Sequence, residues 1–146
     1  MKKGKLKLSR DEVRDFLCEV YPPCADRIVI EELEPMRIRV RFRVKPEDWR
    51  PGGTVSGPTV FTAADAAIYV LTLSMVGREA LCVTSSLTIN FLRKPPLVDL
   101  ICEGKLLKLG RTRAVGDCLI YSDGTADPVA HATVTYAIPN RSAPPL

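Results

Sequence analysis

The chain has 146 residues, of which 46% are hydrophobic and 26% charged, and its formal net charge is +4. This length and composition indicate one soluble globular domain with a sizeable core and exclude two ordinary domains. The basic N-terminus is not followed by an apolar segment, so we expect no signal peptide, and no zinc-finger spacing or RNP-like aromatic motif favours a nucleic-acid partner.

The first predicted element is a short amphipathic helix over residues 9–20. Ser9 is a candidate N-cap, and Glu12 follows three residues later, as in a capping box. Apolar residues then recur at helical spacing, namely Val13, Phe16, Leu17 and Val20. Pro22 and Pro23 predict the end of this helix, which we expect to pack on the outside of the domain.

Two strands are predicted next, over residues 27–34 and 36–44, with a turn near Pro35. The second strand alternates apolar residues with Arg37, Arg39, Arg41 and Arg43. Such period-two alternation is typical of a half-buried antiparallel strand. The arginine face therefore contacts either solvent or an anionic ligand.

Residues 54–77 form a long stretch in which Asp65 is the only charged side chain. A loop rich in Pro and Gly precedes it, and the pattern predicts a buried helix from about Gly57 to Val76. Because Asp65, Pro58 and several hydroxyl groups interrupt the stretch, we expect a core helix and no membrane span. A carboxylate among apolar side chains loses hydration and needs a partner, so Asp65 marks a candidate site.

Four further strands follow the long helix, over residues 81–92, 98–109, 112–121 and 128–138. In the first of them, Val83 and Leu87 are expected on the face opposite Thr84. Because no helix separates the strands, the sheet should be antiparallel and should curl around the apolar helix. We expect a single domain over residues 1–146 that ends in a loose tail at 140–146.

The cysteines, an odd number without a C-x-x-C pair, are Cys18, Cys24, Cys82, Cys102 and Cys118. They are expected to be buried free thiols in a reducing compartment, which favours a cytoplasmic location. His131 is the only histidine and has no cluster of ligands around it, so we expect no metal site. Its strand position is remote from Asp65 and favours a surface or interface role.

The order of several motifs resembles that of hotdog-fold acyl-CoA thioesterases of the phenylacetic-acid-pathway type. The matching positions are Ser56-Gly57-Pro58 at the helix start, Asp65 two turns later, Asn90 to Arg93 at the end of a strand, the hairpin Gly110 to Gly116, and the stretch around His131 to Ile138. The resemblance covers roughly residues 27 to 139.

This resemblance implies an α+β hotdog fold, in which a curved antiparallel sheet wraps a long central helix, and a homodimer or homotetramer with sites at the dimer interface. The implied reaction hydrolyses an acyl-CoA to a carboxylate and free CoA, with no cofactor beyond the CoA of the substrate. Asp65, usually assigned to the other subunit, acts as nucleophile or general base. The Gly57 amide holds the oxyanion, and Ser56 and Thr84 assist.

Position and charge suggest Arg93 and Lys94 as contacts for the CoA phosphates. No nucleic acid or membrane is among the expected partners.

Three positions depart from the pattern of these relatives. Ser56 replaces a histidine, Pro58 replaces a glycine and has no amide to donate, and Arg50 stands where an Asn or Gln is common. Ser56 either caps the helix or bonds the substrate. A protein that binds acyl-CoA or another acyl thioester without turnover is therefore the alternative. A dehydratase would usually pair the acid with a histidine, and His131 is badly placed for this.

Overall fold

A six-stranded antiparallel sheet and one long helix form the body of the domain in the computed structural model, which describes residues 4–139. The helices are α1 (Arg10–Val20), α2 (Pro22–Arg27) and α3 (Gly57–Val76), with a single 3-10 turn at Pro46–Asp48. The main strands are β1 (Ile28–Glu34), β2 (Arg37–Phe42), β5 (Val83–Phe91), β6 (Leu100–Leu109), β7 (Arg113–Ser122) and β8 (Pro128–Ala137). A two-residue ribbon, β3 (Trp49–Arg50) with β4 (Thr54–Val55), precedes α3. The strand order is β1-β2-β6-β7-β8-β5, and the predicted tail at 140–146 lies outside the described residues.

The N-terminal helix α1 begins with the predicted capping box. The Glu12 amide donates to Ser9 Oγ at 3.2 Å, and the Ser9 amide donates to Glu12 Oε1 at 3.0 Å. Pro22 and Pro23 end α1, as predicted, but they also occupy the first turn of α2, which the sequence analysis missed. Proline suits this position because a first-turn residue needs no amide donor.

The arginine face of β2 carries a network of ion pairs. Arg39 and Arg41 both donate to Glu31 on β1, at 3.0 and 3.2 Å. Arg39 also meets Glu103 at 2.7 Å, and Arg41 meets Asp123 at 2.8 Å. Because these pairs are partly exposed, each adds little to stability, and the two arginines are already occupied by carboxylates of their own chain.

Helix α3 has the predicted bounds and forms the core. Ser56 is its N-cap, and Gly77, with φ of 101°, is its C-cap. Within residues 4–139 it is the one helix long and apolar enough to cross a bilayer, and 78% of that apolar window is buried inside the domain. The prediction of a buried core helix is therefore confirmed.

Two glycines on the central strands let the sheet approach α3 closely. A Cβ on Gly116 of β7 would lie 2.8 Å from Cδ1 of Ile68, and one on Gly104 of β6 would lie 2.9 Å from the same atom. Both distances are shorter than carbon atoms tolerate. Ile68, which is fully buried, thus fills the space that side chains at these two positions would otherwise occupy.

Strand β5 is an edge strand with a bulge near its start. Thr84 pairs with Tyr136 of β8, and the next paired residue is Ser86, opposite Thr135. The unpaired Ser85 shifts the alternation, so that Thr84 lies on the same inner face as Leu87. The predicted arrangement, with Thr84 opposite Leu87, was therefore wrong at this end of the strand.

Candidate active site

The Asp65 carboxylate is held by two hydroxyl groups from neighbouring strands. Thr84 Oγ1 on β5 donates to Asp65 Oδ1 at 2.7 Å, and Tyr136 Oη on β8 donates to the same oxygen at 2.6 Å. Tyr136 Oη also lies 3.1 Å from the backbone carbonyl oxygen of Asp65. Short hydrogen bonds of this kind are typical of an ionised acceptor. The partner that a partly buried acid requires is therefore present.

A cavity of about 500 Å³ opens beside this carboxylate. Asp65, Thr84 and Tyr136 contribute polar groups to its wall, together with Arg27 and Thr62. Its other walls are mainly aromatic or apolar, or carry thiols, and include Val20, Tyr21, Cys24, Phe42, Tyr69 and Cys82. The end of α1 and the start of α2 thus cover the site, although α1 was expected only to pack outside. The mixture of apolar walls and few polar groups is typical of a small-molecule site.

Tyr136 is kept in its protonated, donating form. Burial raises the pKa of its hydroxyl well above the usual value, and the charge of Asp65 acts in the same direction. Only 4% of the residue is exposed. The neighbouring ring of Tyr69 lies 5.7 Å away between centroids, and its hydroxyl donates to the Ala80 carbonyl oxygen at 2.9 Å. Tyr136 is therefore a hydrogen-bond donor to Asp65 throughout the neutral pH range.

The start of α3 is organised around Ser56. The Thr59 amide donates to Ser56 Oγ at 3.3 Å, and Ser56 Oγ lies 2.8 Å from Thr59 Oγ1. Thr59 Oγ1 in turn donates to Asp48 Oδ1 at 3.0 Å. The Ser56 hydroxyl is thus engaged in capping the helix, which favours the capping interpretation over a contact with substrate.

Asp48 connects this helix start to α2. The carboxylate is buried, accepts from the Lys45 amide at 2.7 Å, and forms an ion pair with Arg27. Arg27 also lies over the Phe42 ring, 4.6 Å from its centroid, in the cavity wall. Since removing one partner of a buried ion pair leaves an uncompensated charge, this pair supports the local structure as a unit.

Gly57 lies at the far end of β5 from Thr84. A Cβ on Gly57 would lie 3.4 Å from Cζ of Phe91, the last residue of that strand. Within the described residues the Gly57 amide has no hydrogen-bond acceptor. Asp65 follows eight residues later, about 12 Å along the helix axis. One chain therefore brings Asp65 and Thr84 together but leaves Gly57 and Ser56 apart from them.

The two cations predicted to meet CoA phosphates directly follow β5. Arg93 and Lys94 are both exposed, and Arg93 Nη1 donates to the Pro128 carbonyl oxygen at 2.7 Å. They follow Phe91, at the end of β5 that is close to Gly57 and the start of α3. Neither residue lines the cavity beside Asp65 in the single chain.

Sequence reasoning missed Tyr136, Asp48 and Arg27. A signal for Tyr136 was present, because the alternation of β8 places it on the inner face with Val134, where a tyrosine hydroxyl needs a partner. No comparable pattern marks Asp48, which lies in an irregular segment.

The cysteines fit the expectation of free thiols, but not all of them are buried. Cys18 is exposed and Cys24 is partly buried, whereas Cys82, Cys102 and Cys118 are buried. Burial raises the pKa of the Cys24 thiol to about 11, and the charge of Asp65 adds to this effect. Cys24 is therefore a neutral part of the cavity wall at pH 7 and a poor nucleophile.

This difference predicts selective alkylation of the native protein. At pH 8, iodoacetamide should modify Cys18 first and leave Cys24 unmodified, because the reactive thiolate of Cys24 forms only as the pH approaches 11. Peptide mapping by mass spectrometry measures both sites, and protein unfolded in urea, in which every cysteine should react, is the control. Equal labelling of Cys18 and Cys24 at pH 8 would contradict the assigned environment.

Comparison with known proteins identifies the family to which this chain belongs. The Thioesterase superfamily sequence profile matches residues 52–129, which is more than half of the chain. A solved structure from a Silicibacter species, described as a candidate thioesterase, is 44% identical over 94% of this chain and 96% of its own, with a TM-score of 0.87. The chain therefore belongs to the Thioesterase superfamily. The search of curated proteins finds no match.

More distant structures share the fold. Zebrafish thioesterase superfamily member 2 is 15% identical, with a TM-score of 0.78 over 91% of this chain and all of its own. A candidate thioesterase from Ralstonia eutropha, described as phenylacetic acid degradation-related, is 20% identical, with a TM-score of 0.74 over 84% of this chain and 98% of its own. The expected hotdog fold is confirmed.

Proposed function

We propose that the protein is an acyl-CoA thioesterase in which Asp65 activates water or attacks the thioester carbonyl. The observation that carries this proposal is the anchoring of Asp65 Oδ1 by Thr84 and Tyr136 beside a largely apolar cavity. Within the described residues, Asp65 Oδ2 has no hydrogen-bond donor. A carboxylate with one oxygen fixed and the other available suits a general base or a nucleophile.

Either role gives a balanced reaction. As a base, Asp65 takes a proton from water while the water oxygen bonds to the acyl carbon. The resulting tetrahedral oxyanion collapses, the carbon–sulfur bond breaks, and the proton passes to the departing CoA thiolate. As a nucleophile, an Asp65 oxygen bonds to the acyl carbon and the carbon–sulfur bond breaks, which gives a mixed anhydride and the CoA thiolate. Water then hydrolyses the anhydride to the free acid and protonated Asp65, whose proton passes to the thiolate. In both cases backbone amides at a helix N-terminus would stabilise the oxyanion.

A second copy of the chain would supply that helix N-terminus. Thr84, next to Asp65, and Phe91, next to Gly57, lie at opposite ends of β5, which is an edge strand. Antiparallel pairing of β5 with its own copy about a two-fold axis near Leu87 exchanges these ends. Gly57 of the partner subunit then lies on the same inner face, beside Asp65. The site would be composite, with two equivalent copies in each dimer.

The exposed surface of β5 supports this dimer. Val83, Phe91 and Leu92 are each more than half exposed in the single chain, and an unpaired edge with apolar side chains favours association. The homotetramer, the cytoplasmic location, the phenylacetic-acid-pathway subtype and the contacts of Arg93 and Lys94 with CoA stay predictions.

Mixing two defective variants tests the composite site. Asp65→Asn and Gly57→Ala should each have low activity, because one lacks the carboxylate and the other places a methyl group where the thioester approaches. After joint unfolding and refolding, each mixed dimer should contain one intact site and one with both lesions. The activity should then recover to about a quarter of wild type. Release of free CoA measures the recovery.

As the control for this experiment, the two variants are refolded separately and mixed only afterwards. An activity of the refolded mixture equal to the mean of the two variants would show that Asp65 and Gly57 act within one chain. It would leave open the thioesterase proposal itself, which depends on wild-type turnover.

Binding without turnover is the competing function. The Ser56 hydroxyl is engaged in capping and Pro58 has no backbone N–H, so the Gly57 N–H is the main donor left at the helix start. Micromolar binding of an acyl-CoA by calorimetry, with no free thiol released over hours, would establish this alternative.

A further inference from the structure

The two donors to Asp65 are placed side by side by the register of the sheet. Thr84 and Tyr136 are directly paired residues of β5 and β8. The alternation of β8 places Tyr136 on the inner face, and the bulge at Ser85 brings Thr84 to the same face. Tyr136 is also paired with Ala114 of β7, which makes it a residue of an interior strand. Its position is therefore fixed from both sides, whereas Thr84 lies on an edge strand.

Tyr136 contacts two atoms of the same residue on α3. Its hydroxyl lies 2.6 Å from Asp65 Oδ1 and 3.1 Å from the Asp65 carbonyl oxygen. A rotation of the carboxylate that exchanged Oδ1 and Oδ2 would present the other oxygen to the same two hydroxyls, so one oxygen is always anchored and one available. The contact with the carbonyl oxygen also fixes the hydroxyl relative to the helix backbone.

We propose that Tyr136 is a positioning residue that holds Asp65 in its reactive orientation. This inference rests on the proposed thioesterase function. Tyr136 does not itself need to touch the substrate. It acts by occupying one carboxylate oxygen, so that the charge of the other oxygen is directed into the cavity, and by replacing hydration that the carboxylate lost on burial.

Other titratable groups around Asp65 do not replace this hydrogen bond. Cys24 of α2 stays protonated, and the Tyr69 hydroxyl on α3 is committed to the Ala80 carbonyl oxygen. Arg27 lines the same cavity but pairs with Asp48. Cys82, which precedes β5, is buried in the wall. Thr84 is the one other donor to the carboxylate among the described residues.

The test is Tyr136→Phe, which removes one oxygen atom and keeps the ring. We expect kcat to fall about tenfold with KM little changed, because a hydrogen bond to a charged group is lost and the cavity wall is kept. Tyr121→Phe is the matched control. Tyr121 lies on β7 and lines a different surface depression, so this variant should match wild type.

A measurement that does not depend on turnover separates this inference from the proposed function. A hydroxyl proton in a short bond to a carboxylate should give a downfield NMR signal that exchanges slowly with water. The signal should be lost in Tyr136→Phe and move upfield in Asp65→Asn. If the signal behaves so while no acyl-CoA is hydrolysed, the positioning role stands and the enzyme proposal fails. Wild-type kcat in Tyr136→Phe, or a signal that Asp65→Asn leaves unchanged, would overturn the role.

Discussion

Asp65→Asn is expected to lower kcat for acyl-CoA hydrolysis by about two to four orders of magnitude. The substitution is nearly isosteric, and the amide oxygen of Asn can still accept from Thr84 and Tyr136, so the fold should be retained. Among the described residues that line the cavity, the substitution removes the one carboxylate, which the proposed reaction needs as base or nucleophile. Release of CoA thiol across an acyl-CoA panel, followed with a thiol reagent, measures the effect.

Asp15→Asn provides the matched control, because Asp15 is exposed on α1. This variant should retain full activity. Undiminished turnover in Asp65→Asn would end the assignment of Asp65 as the catalytic carboxylate. A loss of activity that came with a lower unfolding temperature, measured by circular dichroism, would assign Asp65 a structural role instead.

The largest effect on stability is expected at Ile68. Replacement by Ala should destabilise the fold by about 4 kcal/mol, near the upper part of the range for truncated core side chains. Ile68 is fully buried, and its terminal methyl lies over Gly104 and Gly116. Because these residues have no side chains that could move into the space, the cavity should persist. Urea denaturation, with the midpoint and slope fitted together, measures the change in the free energy of unfolding.

A double-mutant cycle tests whether Ile68 of α3 and Gly116 of β7 are energetically coupled through this contact. Gly116→Ala alone should cost about 1–3 kcal/mol, because its new methyl would lie 2.8 Å from Cδ1 of Ile68. Combined with Ile68→Ala, it should cost less than the sum by more than about 0.5 kcal/mol, since one methyl enters the space that the other vacates.

Leu17→Ala supplies the comparison for the cycle. Leu17 is equally buried but lies on α1, and none of the atoms nearest to Gly116 belongs to it. Its cost should add to that of Gly116→Ala without coupling. Additive costs for the Ile68 and Gly116 pair would show that the sheet relaxes around the new methyl group.

Local patterns predicted the core of the fold well. The bounds of α3 followed from an apolar stretch between a capping serine and a glycine, and the main strands followed from alternation. Alternation also placed the arginines of β2 on the outer face. It could not show that Glu31, Glu103 and Asp123 occupy Arg39 and Arg41, because these partners come from other strands and a loop.

The site was only partly accessible to such reasoning. Asp65 stood out because a lone acid in an apolar helix is costly, and Thr84 entered through the resemblance. Tyr136 is 71 residues from Asp65, and its contact depends on the pairing of β8 with β5, which no local pattern encodes. Helix α2 was missed because Pro22 and Pro23 were used only to predict the end of α1, although prolines also suit the first turn of a helix.

The bulge at Ser85 divides β5 into two segments of opposite phase. Before the bulge, Thr84 donates a hydrogen bond to the Asp65 carboxylate. After the bulge, Leu87 and Ile89 pack against the core. Loss of this single serine would leave every site residue present and every apolar residue in order, yet it would turn Thr84 outward. The number of residues in β5 therefore matters to the site as much as their identity. A relative that has Asp65 and Thr84 but lacks the bulged residue should not be assumed to share the site.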